Sequence, residues 1–165
     1  MNVAVPANGL LIDIILVTIF ACLTALCAQI CFWIGLVPVS GQTFGVLISG
    51  ALLGSRRGAW SQISYLAIGT MGLPYWFAPG GVPGIARLLG PTGGYLLAFP
   101  IAAAFVGFMV ELRKEYWWIL VSIFLGSLII FLGGTIQLNL VYVDTGHPVS
   151  SADFPDSVRK FDKLS

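Results

Sequence analysis

The sequence predicts an all-α integral membrane protein, a bundle of five clear transmembrane helices. Three observations predict it. Hydrophobic residues make up 58% of the 165 and charged residues only 9%, where a soluble domain carries roughly a quarter charged residues. The apolar residues gather in five segments, 10–36, 41–53, 58–73, 95–110 and 117–138, and every charge except Asp13 lies in a break between them or in the C-terminal tail. Tyr116, Trp117 and Trp118 cluster beside one break, where amphipathic rings anchor at a membrane interface.

Segment 10–36 is long enough to span, interrupted only by Asp13 near one end and by small polar residues such as Thr24 and Gln29. No basic residue precedes it, so it lacks the charged start of a signal peptide, and Ala21-Cys22 is only a faint likeness of a lipoprotein cleavage site. The segment is expected to remain as a helix. Cys22, Cys27 and Cys31 all fall within it; odd in number and set in lipid, they read as small hydrophobes rather than a disulfide framework. Segment 41–53 is short, since thirteen helical residues rise only about 20 Å against a hydrocarbon core of about 30 Å. Neighbours or loops must complete it. Gly54-Ser55-Arg56-Arg57-Gly58 turns the chain into segment 58–73, and Glu111 to Glu115 separate segments 95–110 and 117–138. Beyond Leu138 the character changes: residues 139–165 carry four acids, three bases and no run long enough to span. The expected division is a transmembrane bundle over 1–138 and a polar C-terminal tail over 139–165.

Arg56 and Arg57 lie in the 2–3 turn and Arg113 and Lys114 in the 4–5 turn. In a five-helix chain these turns share a side, which the positive-inside rule makes cytoplasmic. The expected location is a bacterial-type plasma (inner) membrane, crossed several times. Loops 35–42 and 72–94 then face outward together, and Arg87 is the one outward cation of the helical part. Eight basic and seven acidic residues argue against nucleic acid binding, which needs a concentrated basic face. An enzyme is not expected: Asp13 is the lone acid inside a span, and no HExxH, GxSxG or GxxxxGK[ST] occurs. A channel or ion-coupled carrier would show ionisable residues along a path or repeated halves with broken helices. No metal site or cofactor is expected, because His147 stands in the tail without a second histidine or a cysteine cluster. What remains is capture of a small, mostly apolar ligand by a Gly- and Pro-rich loop, with a purely structural membrane subunit as the alternative; long irregular loops tend to be functional.

Pro38-Val39-Ser40-Gly41-Gln42-Thr43-Phe44, Gly54-Ser55-Arg56-Arg57-Gly58, Gly72-Leu73-Pro74 and Gly90-Pro91-Thr92-Gly93-Gly94-Tyr95 occur here in this order. In these motifs, from about residue 21 to 107, the chain resembles the BioY family, the biotin-specific S components of energy-coupling-factor vitamin transporters. The resemblance implies six helices, both termini cytoplasmic, and capture of biotin from outside. It implies as partners the lipid bilayer, a transmembrane coupling subunit and two ATPase subunits, or further copies of the chain; an S component for another small vitamin is the alternative. It also implies a sixth helix opened by a segment like Pro-Phe-x-x-Gly-Asp-x-x-Lys, whose acid and lysine are associated with the ligand. Here Phe154-Pro155-Asp156-Ser157-Val158-Arg159-Lys160 is followed by no apolar run, so the sixth helix is expected to be absent or degenerate. Asp156 and Arg159 fall on the acid and lysine positions.

Biotin presents a ureido ring, an apolar sulfur ring and a carboxylate, so a site needs paired donors and acceptors, apolar walls and a cation or free amides. Gln42, at the outer mouth of the second helix, offers donor and acceptor together; a helix-start residue is the plainer alternative. Tyr75, Trp76 and Phe77 provide walls for a small ring or an interfacial aromatic belt. Arg87 provides a fork of donors for the carboxylate or the ureido oxygen, or reaches a lipid phosphate. Thr92 is placed to cap the fourth helix, Gly93 to expose its first amides to an anion, and Tyr95 to point inward or anchor at the interface. Ala21 and Ala25 form a small-xxx-small pair, which either packs within the bundle or, as the resemblance implies, meets the coupling subunit.

Overall fold

The computed structural model describes residues 7–34, 37–73, 76–77, 84–89 and 93–145. Among them, helix α1 runs Ala7–Ala28, followed by an antiparallel hairpin of β1 (Cys31–Ile34) and β2 (Val37–Ser40) in which Cys31 pairs with Ser40 and Ile34 with Val37. Then come α2 (Gln42–Thr70), the short α3 (Ile85–Leu89), α4 (Gly93–Leu112) and α5 (Tyr116–Thr145). Among the described residues, three helical stretches are long and apolar enough to cross a membrane: Gly9–Ala28, Gly93–Leu112 and Tyr116–Gln137.

The first helix ends earlier than expected. The chain leaves it after Ala28 rather than at Leu36, with tightened turns from Gln29 N–H to Leu26 O and Ile30 N–H to Cys27 O. Cys31 to Ile34 and Val37 to Ser40 are rich in aromatic and β-branched residues, which favour a pleated ribbon, and Pro38 supplies no amide for a continuing helix. A Gly41 N–H bond of 2.8 Å to Ile30 O closes the hairpin at its base. At the other end of the chain, α5 continues to Thr145, past the boundary expected at Leu138.

Helix α2 is bent back on itself. Gly54 stands at φ 82°, ψ 177° inside it, a conformation open to glycine and strained for other residues. In a straight helix residues 42 and 65 would stand about 35 Å apart. Instead the Gln42 amide nitrogen lies 3.0 Å from the Tyr65 hydroxyl and Gln62 Nε2 2.8 Å from Ser49 Oγ. Residues 42–53 and 55–70 are therefore two antiparallel limbs, and the expected five-residue turn narrows to Gly54. The limbs nearly touch at Gly58, where a Cβ would come 2.9 Å from Gly50 Cα. Glu111 of α4 holds the reversal: its Oε1 accepts the Ser55 N–H at 2.8 Å.

α2 packs against α1 and α4, and α4 against α5. The seams use small residues, as helices in lipid do when backbone contact replaces the hydrophobic effect. Gly50 lies against the Ala103 backbone and Gly94 against Gly133 O. Ala21 and Ala25 are buried in the same core as Val46, Leu47 and Phe99. The outward faces are apolar instead, with Leu11, Ile15, Ile19, Phe124 and Leu132 exposed, the reverse of a water-soluble helix.

Candidate functional site

The Gln42 end of the α2 hairpin, opposite the Gly54 reversal, gathers the polar and aromatic side chains. Gln42 opens the first limb and is buried, as is Tyr65 near the end of the second. The Gln42 amide donates to the Tyr65 hydroxyl and to the backbone oxygen of Phe77. Tyr65 Oη in turn donates to Trp76 O at 3.3 Å, and the Trp76 indole N–H returns to Tyr65 O at 2.9 Å. Three hydrogen bonds thus fasten residues 76–77 of the long loop to α2, and the Gln42–Tyr65 bond ties the two limbs of α2 to each other.

Aromatic packing completes the cluster. Trp76 stacks on Tyr65 with centroids 5.9 Å apart, Phe77 meets it edge-on at 5.6 Å, and Phe99 of α4 lies 6.4 Å away. Phe77 is only 4% exposed and sits over Gly69, where a Cβ would fall 2.1 Å from the ring. Gly69 is the recess that admits the phenylalanine. One turn deeper lies a second polar layer: Gln62 Nε2 is 2.8 Å from Ser49 Oγ and 3.2 Å from both Thr24 Oγ1 and Ser61 Oγ. All four side chains are fully buried, and Gln62 Oε1 has no hydrogen-bond partner among the described residues.

The structure brings together Gln42, Trp76 and Phe77 of the residues singled out in the sequence, and places Arg87 near them. Arg87 is half-buried on α3, which packs against α2 and α4. α3 is itself tied to the bundle, since Gln137 Nε2 donates to Leu88 O at 3.0 Å. Gly93 packs beneath the same carbonyl, where a Cβ would be 1.7 Å from Leu88 O. Tyr95 faces a different way: its ring meets Phe131 edge-on at 6.2 Å and covers Gly134 of α5. Tyr75, Thr92, Asp156 and Arg159 lie outside the described residues. Tyr65 and Phe99 escaped the sequence reading. The signal for Tyr65 was its spacing from Ser61 and Gln62, which puts three polar groups on one face of a helix in lipid. No group of three or more His, Cys, Asp or Glu side chains that could hold a metal occurs among the described residues.

The arrangement offers amide and phenol hydrogen bonds, flat apolar walls and one cation within a small volume.

Residues 1–155 match the BioY family. A probable biotin transporter BioY of Pyrococcus horikoshii is 43% identical over 95 residues, 58% of this chain and 57% of that protein. A probable biotin transporter BioY of Lysinibacillus sphaericus is 42% identical over 100 residues, covering 61% and 50%. The biotin transporter BioY of Thermotoga maritima is 34% identical over 137 residues, covering 83% and 80%. The match thus spans about half the length of the first two relatives. Among solved structures, the S component for biotin from an ECF-type ABC transporter superposes with a TM-score of 0.75 at 25% identity, over 88% of this chain and 79% of that one.

Proposed function

We infer the function from one premise: this chain belongs to the BioY family. We propose that it is the membrane-embedded S component of a biotin uptake system, taking biotin from outside and passing it across the membrane. The observation that carries the reading is the convergence of Gln42, Tyr65, Trp76 and Phe77 at one mouth of the helical bundle.

In this reading Gln42 supplies the paired donor and acceptor that a ureido group needs. Trp76, Phe77 and Tyr65 supply flat walls for the fused rings. Arg87 takes the carboxylate, with Gly93 giving backbone amides at the start of α4. Tyr75, Thr92, Asp156 and Arg159 are further proposed contacts. Because the bonds of Gln42 and Tyr65 end on the backbone of residues 76–77, a ligand that competes for them loosens the loop. Entry and loop position are thereby linked through the same atoms.

The proposed topology has five spans, with the two limbs of α2 as the second and third, in a multi-pass plasma-membrane protein whose Arg56, Arg57, Arg113 and Lys114 mark the cytoplasmic side. Residues 1–138 form the bundle and 139–165 the tail in this scheme. Transport rests on a transmembrane coupling subunit with two ATPase subunits, or on further copies of the chain.

Equilibrium binding of biotin to the purified chain in detergent tests the reading, with desthiobiotin and thiamine as comparators. Submicromolar binding selective for biotin is expected, and Arg87→Ala should weaken biotin more than desthiobiotin methyl ester, which lacks the acid. Folded protein that binds none of these, or binds thiamine equally well, would overturn it.

A further inference from the structure

At the Gly54 end of the α2 hairpin the molecule opens into a cleft of about 740 Å³ between α1 and the second limb. Leu10, Ile14 and Val17 form one apolar wall, and Trp60 and Leu53 face them; Asp13, Arg56, Arg57 and Glu111 supply the charges. We propose that this cleft binds one phosphatidylethanolamine molecule. The phosphate lies at Arg56, the ammonium at Glu111 and Asp13, and an acyl chain follows the α1 wall. The proposal is independent of the biotin reading.

The charge balance selects the lipid. Two arginines and two carboxylates sum to zero, so an anionic headgroup would place a like charge beside Asp13 and Glu111. A zwitterion carries a partner for each sign. Arg56 is exposed and makes no ion pair with any described residue. Arg57 Nη2 lies 2.7 Å from Asp13 Oδ1, which is buried against it, and the second oxygen of the carboxylate has acceptor capacity for an N–H donor. Glu111 gives one oxygen to the Ser55 N–H, and a carboxylate has a second. Phosphatidylcholine has the same net charge but no N–H to donate, and is therefore the weaker ligand.

Position and size agree with this occupant. Trp60 at the rim is 56% exposed and Trp117 81%, which marks the headgroup level of a membrane protein. The volume falls within the range of about 300–1,000 Å³ that small-molecule sites occupy. It admits a headgroup and the start of a chain.

The test uses the full chain, stripped of lipid in detergent, with phosphatidylethanolamine, phosphatidylcholine and phosphatidylglycerol added separately. Bound lipid is counted by native mass spectrometry and its effect read as a shift in thermal unfolding. Phosphatidylethanolamine is expected to exceed phosphatidylcholine by about fivefold in occupancy, the share of a charge-assisted hydrogen bond that survives partial exposure. Arg56→Gln should lower the binding of all three. Glu111→Gln, which keeps an acceptor for Ser55, should erase the preference for ethanolamine over choline and raise phosphatidylglycerol. If Glu111→Gln fails to fold, the exposed Arg56→Gln variant decides alone. Equal binding of ethanolamine and choline lipids to the unmodified chain overturns the proposal, as does a preference for phosphatidylglycerol or indifference to Arg56→Gln.

Discussion

At one end of α2, Gln42 and Tyr65 are buried and bonded to the backbone of a loop; at the other, Arg57 and Asp13 meet with 49% and 36% of their side chains exposed. The first set joins the two limbs of α2 to each other and to the loop, the second joins α2 to α1, and both use polar groups to do it. The difference lies in what replaces a lost bond. At the charged end, water and headgroups re-solvate an orphaned partner, so the pair has modest worth. At the Gln42 end nothing does, and an orphaned carbonyl keeps its full desolvation cost. A capture site placed at the buried end gains specificity from that asymmetry, because a ligand lacking the right donor leaves the site unpaired.

The hardest blow to the buried end is Tyr65→Ala. It removes the ring that Trp76, Phe77 and Phe99 share, together with both hydroxyl bonds. A loss of about 3–5 kcal/mol in reversible unfolding in mixed micelles is expected, with loss of biotin binding. A cost below about 1 kcal/mol, the surface range, would mean that the two ends do not differ.

Gly54→Ala strikes the charged end through its backbone. The residue sits at φ 82°, and an added Cβ would lie 2.3 Å from Glu111 Oε1. Strain of this kind costs about 1–3 kcal/mol. Pairing the change with Glu111→Ala relieves the clash and not the backbone, so the double variant should recover part of the loss in the same unfolding assay. Full recovery would show that the carboxylate, not the φ angle, sets the cost.

Tyr65→Phe sharpens the comparison by removing only the hydroxyl. Trp76 O then loses its donor and the Gln42 amide an acceptor, for about 1–2 kcal/mol given the modest worth of hydrogen bonds between membrane helices. Biotin affinity should fall with it, since the loop is held by the same oxygen. Unchanged affinity with reduced stability would detach the loop from the site.

How far the sequence reveals this contrast depends on where the information is local. The reversal at Gly54 is legible from Gly-Ser-Arg-Arg-Gly alone, because two charges beside two glycines cannot lie in mid-membrane helix. Gln42 is legible as a polar residue at a helix mouth. The early end of α1 is not, since Cys-Phe-Trp-Ile is as apolar as the helix before it, and hydropathy does not separate a ribbon from one more turn. The extension of α5 through Asn139 is hidden for the converse reason: a polar residue can stay helical, and Asn139 Nδ2 bonds back to Thr135 O at 2.9 Å. Ala21 and Ala25 carry a packing pattern without an address, because close approach suits a neighbour in the bundle as well as one outside it. The role of Tyr65 depends on a contact 23 residues away with Gln42, which no local window contains.

The smallest expected effect is also the most discriminating. Asp13→Asn keeps the shape and one acceptor and removes only the charge facing Arg57. An exposed pair of this kind is worth about 0–1 kcal/mol, and salt screens it over a Debye length of about 10 Å at 0.1 M, shrinking to about 3 Å at 1 M. The difference between the unmodified chain and Asp13→Asn should therefore fade as salt rises, while the cost of Tyr65→Phe, a neutral bond inside the bundle, should hold constant across the same range. Measuring both in one salt series separates the ends by mechanism rather than by size. A salt-independent Asp13→Asn cost equal to that of Tyr65→Phe would mean that α1 and α2 shield the ion pair as fully as the aromatic cluster shields its hydroxyl, and that the open cleft beside it is closed to solvent in the membrane.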